Sequence, residues 1–327
     1  MGPWGGTVRT AVADDPVADA VAGVHDALLY RSETEYVEGV GSFLEPAVAT
    51  RGPMFIAVPA ENAELLRAHL PDVCAAGVQF ADMRVVGRNP ARIIPAIQQF
   101  LDANRSARAR FVGEPIWAGR SPAEICEATR HEAMLNTVFA GVMVDILCPY
   151  DARRLSARTI ADAWRTHPSV VDGSRHSAST HYGNPVDLYD PAEPIRPRAP
   201  RSARAVPIKA GQLPEVRDAV RGYATGLGLP IDRVRDLVLA VNEIATNTLQ
   251  HSGGSGSLRI WHDGRFVTCE IRDAGRLSDP LVGRRRPDPV AARGRGLWMA
   301  NQLCDLLQWR SGEHGVTVRL KVAHPSS

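Results

Sequence analysis

The chain has 327 residues, of which 44% are hydrophobic and 23% are charged, and its formal net charge at pH 7 is only +2. This is the composition of a soluble globular protein, and so small a charge predicts no direct nucleic-acid partner. No apolar run reaches the roughly 20 residues that a membrane helix needs, which excludes an integral membrane protein. Residues 1–20 lack the apolar segment of a secretion signal, so we predict a flexible tail and a cytoplasmic protein without membrane contact.

The cysteines are odd in number, and no two of them form a Cys-x-x-Cys pair. This spacing does not indicate a disulfide framework. We therefore expect reduced thiols, which agrees with a cytoplasmic location, at Cys74, Cys126, Cys148, Cys269 and Cys304.

The length predicts two domains. In the first, residues 21–168, short apolar runs alternate with stretches of helical spacing. The predicted strands are Met54–Val58, Val78–Met83 and Val142–Cys148, and the predicted helices are Asn62–Leu70, Pro90–Asn104 and Pro122–Val138. Strands that alternate with helices predict an α/β domain with a mostly parallel sheet.

Several consecutive segments of this region resemble the MEDS sensory domain: HDALLYRSETEYVEGVGSFL, GRNPARIIPAIQQFLD, VGEPIWAGRSPAEICEATRHEAMLN and DILCPYD. The resemblance implies a RecA-like fold and leaves room for a small-molecule ligand. RecA-like folds often cradle a phosphate in a Gly-x-x-x-x-Gly-Lys-Ser/Thr loop. The loop after the first predicted core strand, residues 59–63, has neither glycine nor lysine, so we expect no phosphate site there.

Four residues of the first domain suggest a metal or a sensory thiol by their chemistry: His25, Cys126, His131 and Cys148. Their spacing matches no standard metal motif, and buried cysteines at strand ends are ordinary packing residues. Packing is therefore the favoured interpretation.

Residues 169–205 are rich in proline and poor in large apolar side chains, so we predict a semi-extended linker. The second domain, residues 206–327, has the pattern of a two-layer α/β sandwich. Its predicted elements are helices Leu213–Gly226, Ile231–His251 and Gly296–Leu307, and strands Gly256–His262, Arg265–Arg272 and Val316–Val322.

The helix Ile231–His251 has two distinct stripes. One is apolar and comprises Leu237, Val238, Val241, Ile244, Ala245, Thr248 and Leu249. The other is polar: Glu243, Asn247 and His251 follow one another at intervals of four. An amide oxygen is a hard ligand for Mg²⁺, and a carboxylate can accept a proton from a nucleophile. Taken alone, the polar stripe favours a solvated helix face.

Two more segments suggest a nucleotide. Asp273 ends a strand, where its carboxylate can accept the exocyclic amine of adenine, and Gly275 leaves room for the base. By itself, Asp-x-Gly is also a common turn. Gly294 and Gly296 open the last helix, whose first amides would suit a phosphate. A set of arginines in and beside the preceding loop adds positive charge: Arg284, Arg285, Arg286, Arg293 and Arg295. A plain flexible loop is the alternative.

The order and spacing of EIATN, DAG and GRGLW resemble the three ATP-binding boxes of the GHKL (Bergerat-fold) ATPases, and within them the anti-sigma-factor serine kinases. The resemblance implies ATP and Mg²⁺ as cofactors. Glu243 would be the general base, Asn247 the Mg²⁺ ligand and Asp273 the adenine acceptor. The predicted nucleotide-binding set is Asn247, Asp273, Gly275, Gly294, Arg295, Gly296, Leu297 and Thr317.

One position departs from that family. Its last strand usually opens with Gly-Thr, whereas here Gly315 is followed by Val316, and Thr317 comes one residue late. One residue along a strand reverses the face, so Thr317 is not expected to substitute simply.

A MEDS domain followed by such an ATPase resembles the RsbA-type anti-sigma regulatory proteins. This implies a role in the regulation of transcription in stress responses. It also implies a sigma factor and an anti-anti-sigma (STAS) protein as partners, and leaves a homodimer open. One hypothesis is a kinase that phosphorylates serine or threonine of the STAS partner. The other is a nucleotide-dependent switch that binds partners without phosphorylating them. A histidine kinase is disfavoured, because the proline-rich stretch cannot form the helical hairpin that carries its phospho-accepting histidine. We also expect the first domain to contact the second.

Overall fold

The computed structural model of the protein describes residues 23–105, 107–183, 195–287 and 294–324. They form an α/β structure, as the sequence predicts, and its two sheets have seven and five strands. None of the helices in these ranges is long and apolar enough to cross a bilayer. All five cysteines lie in the described residues, and no disulfide joins them. The predicted tail, residues 1–20, lies outside them.

The first sheet has the order β3-β2-β4-β5-β1-β6-β7 and is parallel except for β7. Its strands are β1 (His25–Tyr30), β2 (Met54–Val58), β3 (Gln79–Asp82), β4 (Ala109–Gly113), β5 (Val144–Asp151), β6 (Ser169–Asp172) and β7 (Arg175–Ala178). The three predicted strands are confirmed as β2, β3 and β5. Strands β2 and β5 are buried along nearly their whole length, and therefore their sequences are continuous apolar runs.

The helices of this domain are α1 (Glu33–Thr50), α2 (Ala60–His69), α3 (Pro71–Ala75), α4 (Met83–Val86), a 3₁₀ turn (Pro90–Arg92), α5 (Ile93–Ala103), α6 (Pro122–Val138) and α7 (Ala157–Thr166). Helix α6 matches its prediction because its start is strongly encoded. Pro122 is at the first turn, and Ser121 and Glu124 cap each other's backbone amides.

Two differences from the sequence prediction concern this domain. The first core strand is His25–Tyr30 rather than Met54–Val58, so the loop in the phosphate-binding position begins at Arg31. Residues 31–33 there are Arg-Ser-Glu, which again offer neither glycine nor lysine. In addition, the predicted linker begins too early, since residues 169–172 and 175–178 are strands of this sheet. Val170 is fully buried, which explains why this segment joins the domain.

The second sheet is antiparallel, with the order β11-β12-β10-β9-β8. Its strands are β8 (Arg204–Lys209), β9 (Ser255–His262), β10 (Phe266–Asp273), β11 (Leu306–Gly312) and β12 (Gly315–Ala323). The helices are α8 (Leu213–Gly226), α9 (Ile231–His251) and α10 (Gly296–Leu303).

Helices α8 and α9 are confirmed as predicted, but the predicted helix Gly296–Leu307 ends at Leu303. Its last residues turn into β11, because Leu306 and the residues after it pair with β12 in an antiparallel ladder. That pairing is a tertiary interaction, which outweighs the helical spacing of the leucines.

Buried polar contacts join the two domains. The Asn89 amide donates to both the backbone and the side-chain oxygen of Asn301, at 3.0 Å each. Glu127 on α6 accepts from Arg284 at 2.6 Å and from Arg310 at 3.3 Å. The expectation that the first domain contacts the second is thus confirmed.

Candidate functional site

Helix α9 and the start of helix α10 meet at the predicted polar stripe. A side chain at Gly296 would place its Cβ 3.2 Å from Asn247 Nδ2 and 3.2 Å from Glu243 Oε2. A side chain at this position would therefore press on both Asn247 and Glu243, which favours glycine here. The contact brings together two segments that are about 50 residues apart in sequence, the predicted base and Mg²⁺ ligand on one side and the predicted phosphate loop on the other.

Asp273 lies at the end of β10, and its carboxylate is held by two donors. The Thr248 hydroxyl donates to Oδ2 at 2.7 Å, and the Gly275 amide donates to Oδ1 at 2.8 Å. Each oxygen keeps a further lone pair, which can accept a hydrogen bond from an amine. The predicted adenine acceptor is therefore held by the helix that carries Glu243 and Asn247.

Thr248 is a site residue that sequence reasoning missed, because its spacing assigned it to the apolar stripe. The only available signal was a hydroxyl within an otherwise apolar set. Gly275 lies beside Asp273, and its place against the base stays a prediction. A Cβ there would come 2.4 Å from Ser252 Oγ and 2.9 Å from Asp273 Oδ1, so a side chain at this position would have to displace them.

The start of α10 has the features of a phosphate site. No side chain among the described residues caps its first amides, and Gly294 has φ +89°, a conformation that favours glycine. Arg295 is exposed, while the Leu297 side chain is buried in the core. Leu297 can therefore contribute only its backbone to a nucleotide, and its side chain anchors the helix.

The loop arginines do not act together. Arg284 is buried and paired with Glu127, so its predicted contribution to a polyphosphate is wrong. Arg286 is exposed and faces Asp102 of the first domain at 4.0 Å. Arg285 is exposed, and Arg293 lies outside the described residues. Arg284 and Arg286 of this loop thus contact the first domain.

The β12 departure is also visible in the structure. Val316 is buried and lies opposite Asp273 in the ladder, whereas Thr317 lies opposite Arg272. Cross-strand partners share a face, so Thr317 points away from the helices and from Asp273. The structure does not bring Thr317 to the predicted site.

These positions fit a Mg²⁺-nucleotide. Gly275 lies beside Asp273, and Gly296, in the first turn of α10, lies beside Asn247 and Glu243. Oxygen ligands, free amides and an acceptor for an amine are the groups that Mg²⁺, phosphate and adenine require.

A separate cavity of about 610 Å³ lies in the first domain, at the carboxyl edge of its parallel sheet. This edge is where α/β sheets bind ligands. Glu114 is buried there and accepts from Asn62 at 2.7 Å and from Tyr30 and Tyr36 at 3.3 and 3.4 Å. Burial, opposed by these hydrogen bonds, raises the pKa of Glu114 to about 8, so this carboxyl group is neutral at pH 7.

We expect Glu114→Gln to change how stability depends on pH. The pKa of Glu114 is raised from 4.5 to about 8, so its contribution to folding is complete below about pH 4.5 and is lost as the pH rises through about 8. Between pH 5 and 8.5 the wild type should lose on the order of a few kcal/mol relative to the glutamine variant. Urea unfolding at several pH values measures this difference. Glu64→Gln, an exposed change at the rim of the cavity, serves as the control, and parallel pH profiles for Glu114→Gln and the wild type would contradict the assignment.

Comparison with known proteins finds two family profiles that match separate parts of the chain. A family profile described as MEDS, the methanogen/methylotroph DcmR sensory domain, matches residues 24–168, and one described as a histidine kinase-like ATPase domain matches residues 206–322. The chain is similar to serine-protein kinase RsbW of Halalkalibacterium halodurans, with 26% identity over 129 residues, 35% of this chain and 78% of that protein.

Among solved structures, the chain is similar to the RsbU and RsbW domains of a Mycobacterium tuberculosis protein, with 20% identity and a TM-score of 0.29. That match covers 39% of this chain, and the chain spans about a third of the solved one, 35%. The predicted architecture is confirmed by the two profiles: a MEDS domain is followed by a histidine kinase-like ATPase domain.

Proposed function

We propose that this chain, a MEDS domain joined to a histidine kinase-like ATPase domain, is an anti-sigma regulatory factor with protein serine/threonine kinase activity. It would use ATP and Mg²⁺ to phosphorylate an anti-anti-sigma (STAS) partner, and it would sequester a sigma factor. The observation that carries the proposal is the close approach of Gly296 to Glu243 and Asn247, where an added Cβ would lie 3.2 Å from each side chain, together with an Asp273 held by the same helix. The similarity to a serine-protein kinase supports it.

The positions of these residues support one role for each. Asp273 would bind the adenine amine, the first amides of α10 would bind the phosphates, and Asn247 would hold the metal. Mg²⁺-ATP would supply the phosphoryl group, and the metal ion would neutralise part of the phosphate charge. Glu243 would accept the proton of the attacking hydroxyl, which belongs to the partner, so this chain needs no nucleophile of its own. Phosphoryl transfer depends mostly on such positioning.

The first domain would control this site through the loop that follows β10. The Asn301 amide donates to the Gly283 carbonyl at 3.0 Å, and Asn301 is itself bonded to Asn89. Arg284, the next residue of the loop, is paired with Glu127. This loop leads into the phosphate-binding glycines, so docking of the first domain and nucleotide binding share one segment. A small molecule in the cavity beside Glu114 is the proposed input.

We expect Asp273→Asn to weaken ATP binding by about 10- to 100-fold, since a hydrogen bond to a charged group contributes about 1.5–3 kcal/mol. The amide also replaces one acceptor with a donor that faces the adenine amine. Calorimetry on the full chain with Mg²⁺-ATP measures the effect, and Asp218→Asn on the surface of α8 is the matched control.

The wild type should also prefer ATP to GTP, because guanine carries a carbonyl where adenine carries its amine. A folded wild type that binds no adenine nucleotide would overturn the proposal. Equal affinities for ATP in the wild type and in Asp273→Asn would remove only the role of Asp273.

Val316 favours a second candidate, a nucleotide-dependent switch without kinase activity. The buried valine stands beside Asp273, where the related kinases have a hydroxyl. Phosphate transfer from labelled ATP to a candidate STAS partner distinguishes the two. Partner binding that depends on nucleotide, without transfer of phosphate, would favour the switch.

A further inference from the structure

Four side chains lie close together in the interior of the first domain, and none of them belongs to the predicted nucleotide site. They are His25 on β1, Glu132 on α6, Cys148 on β5 and His167 after α7. Each offers one ligand atom, and these four atoms lie within 4.8 Å of one another. All four residues are buried, with at most 7% of their surface exposed.

The distances suit one tetrahedral metal ion. Zn–N and Zn–S bonds of about 2.0–2.3 Å place neighbouring ligand atoms about 3.3–3.7 Å apart. Glu132 Oε2 lies 3.2 Å from His25 Nε2, 3.3 Å from His167 Nε2 and 3.1 Å from Cys148 Sγ. Cys148 Sγ lies 3.4 Å from His25 Nε2. The separations between these ligand atoms are therefore close to those in a tetrahedral coordination shell.

Hydrogen bonds on the outer side orient both imidazoles. The Asn136 amide donates to the Thr166 carbonyl at 2.8 Å, which turns its oxygen towards His25 Nδ1 at 2.9 Å. The Ala163 carbonyl lies 2.9 Å from His167 Nδ1. Each Nδ1 must then carry its proton, and in the neutral ring each Nε2 presents a lone pair to the cluster. Metal-binding histidines have this arrangement.

The cluster lacks donors of its own. Two Nε2 lone pairs and the Glu132 carboxylate face one another, and the Cys148 thiol brings a single proton. Within the part of the chain that the structure describes, His167 Nε2 and Glu132 Oε1 are buried and have no partner in hydrogen-bonding geometry, although His167 Nε2 lies 3.3 Å from Glu132 Oε2. Unpartnered buried polar atoms are costly, and a cation at the centre would satisfy them.

We propose that His25, Glu132, Cys148 and His167 form a binding site for a first-row divalent metal, with zinc as the best fit. Binding forms four bonds and releases the thiol proton of Cys148 to solvent. The ion, one thiolate and one carboxylate then sum to zero charge, which suits a buried site. Of the residues first considered by sequence, His25 and Cys148 belong to this set, whereas Cys126 is exposed and His131 is not a member.

The test uses the untagged full chain, produced with zinc or with cobalt in the medium, because a buried site is filled during folding. We expect about one zinc per chain by elemental analysis after gel filtration. The cobalt form should show tetrahedral visible bands and a thiolate-to-cobalt charge-transfer band. Cys148→Ser should lose the charge-transfer band, and His167→Gln should lower the metal content at least tenfold.

Cys269→Ser is the matched control, since Cys269 is an equally buried thiol in the other domain. It should keep both the metal and the spectrum. A folded wild type that holds less than about a tenth of an ion per chain would overturn the proposal. So would a cobalt spectrum without a thiolate band, which is read on the wild type and does not depend on the folding of any variant.

Discussion

We expect the Glu243→Ala variant to bind Mg²⁺-ATP nearly as well as the wild type and to phosphorylate its partner about 10²–10⁴ times more slowly. Glu243 lies one helical turn before Asn247 and next to Gly296, the first residue of α10. A hydroxyl at the γ-phosphate would therefore be within reach of its carboxylate. Removing a base raises the barrier to transfer but leaves most contacts to the nucleotide intact. Calorimetry and a phosphate-transfer assay measure the two effects separately.

Two further variants set the limits of this prediction. Asn247→Ala should lose metal-dependent binding and activity together, because it removes the proposed Mg²⁺ ligand. Glu215→Ala, at an exposed position on α8, should behave as the wild type in both assays. If Glu243→Ala phosphorylates the partner at the wild-type rate, Glu243 is only a solvated residue of the helix and the proposed mechanism is wrong.

The parts of this site that sequence predicts are those fixed by local geometry. Glu243 and Asn247 share a stripe because a helix repeats about every 3.6 residues. Gly275 and Gly296 mark close approaches where an added Cβ would crowd neighbouring side chains. The position of Thr317 follows the same logic, since one residue along β12 reverses the face.

The parts that sequence missed depend on pairing between distant segments. Strand β11 exists because β12 lies beside it, and β6 because β1 does. Arg284 is separated by 157 residues from its partner Glu127, so nothing nearby in sequence distinguished it from the other loop arginines. The same holds for His25 and His167, whose cluster is assembled by the sheet and not by a spacing motif.

Glu127→Gln is expected to separate the two domains. Glu127 is buried, and its carboxylate lies 2.9 Å from Arg130, 2.6 Å from Arg284 and 3.3 Å from Arg310. Burial disfavours its charge, but the three arginines outweigh that effect and lower the pKa of Glu127. Removing the charge of Glu127 from among three buried arginines should cost about 3–5 kcal/mol.

Separation of the domains should cost less free energy than unfolding. Arg284 and Arg310 belong to the second domain, so both reach water when it moves away from the first. We therefore expect a larger radius of gyration in small-angle scattering, with a smaller change in the unfolding of each domain. Glu38→Gln, exposed on α1, is the matched control. Scattering and stability that match the wild type would show that docking does not depend on Glu127.

The same variant tests whether docking and nucleotide binding are coupled. Arg284 belongs to the loop that leads to Gly294, so its release should change the affinity for ATP. Coupling between binding equilibria is reciprocal. ATP should then shift the equilibrium between docked and separated domains of Glu127→Gln by the same factor, which small-angle scattering measures. If ATP affinity is the same in docked and separated forms, the first domain does not act through this loop, and control of the ATPase domain must pass through a shared partner.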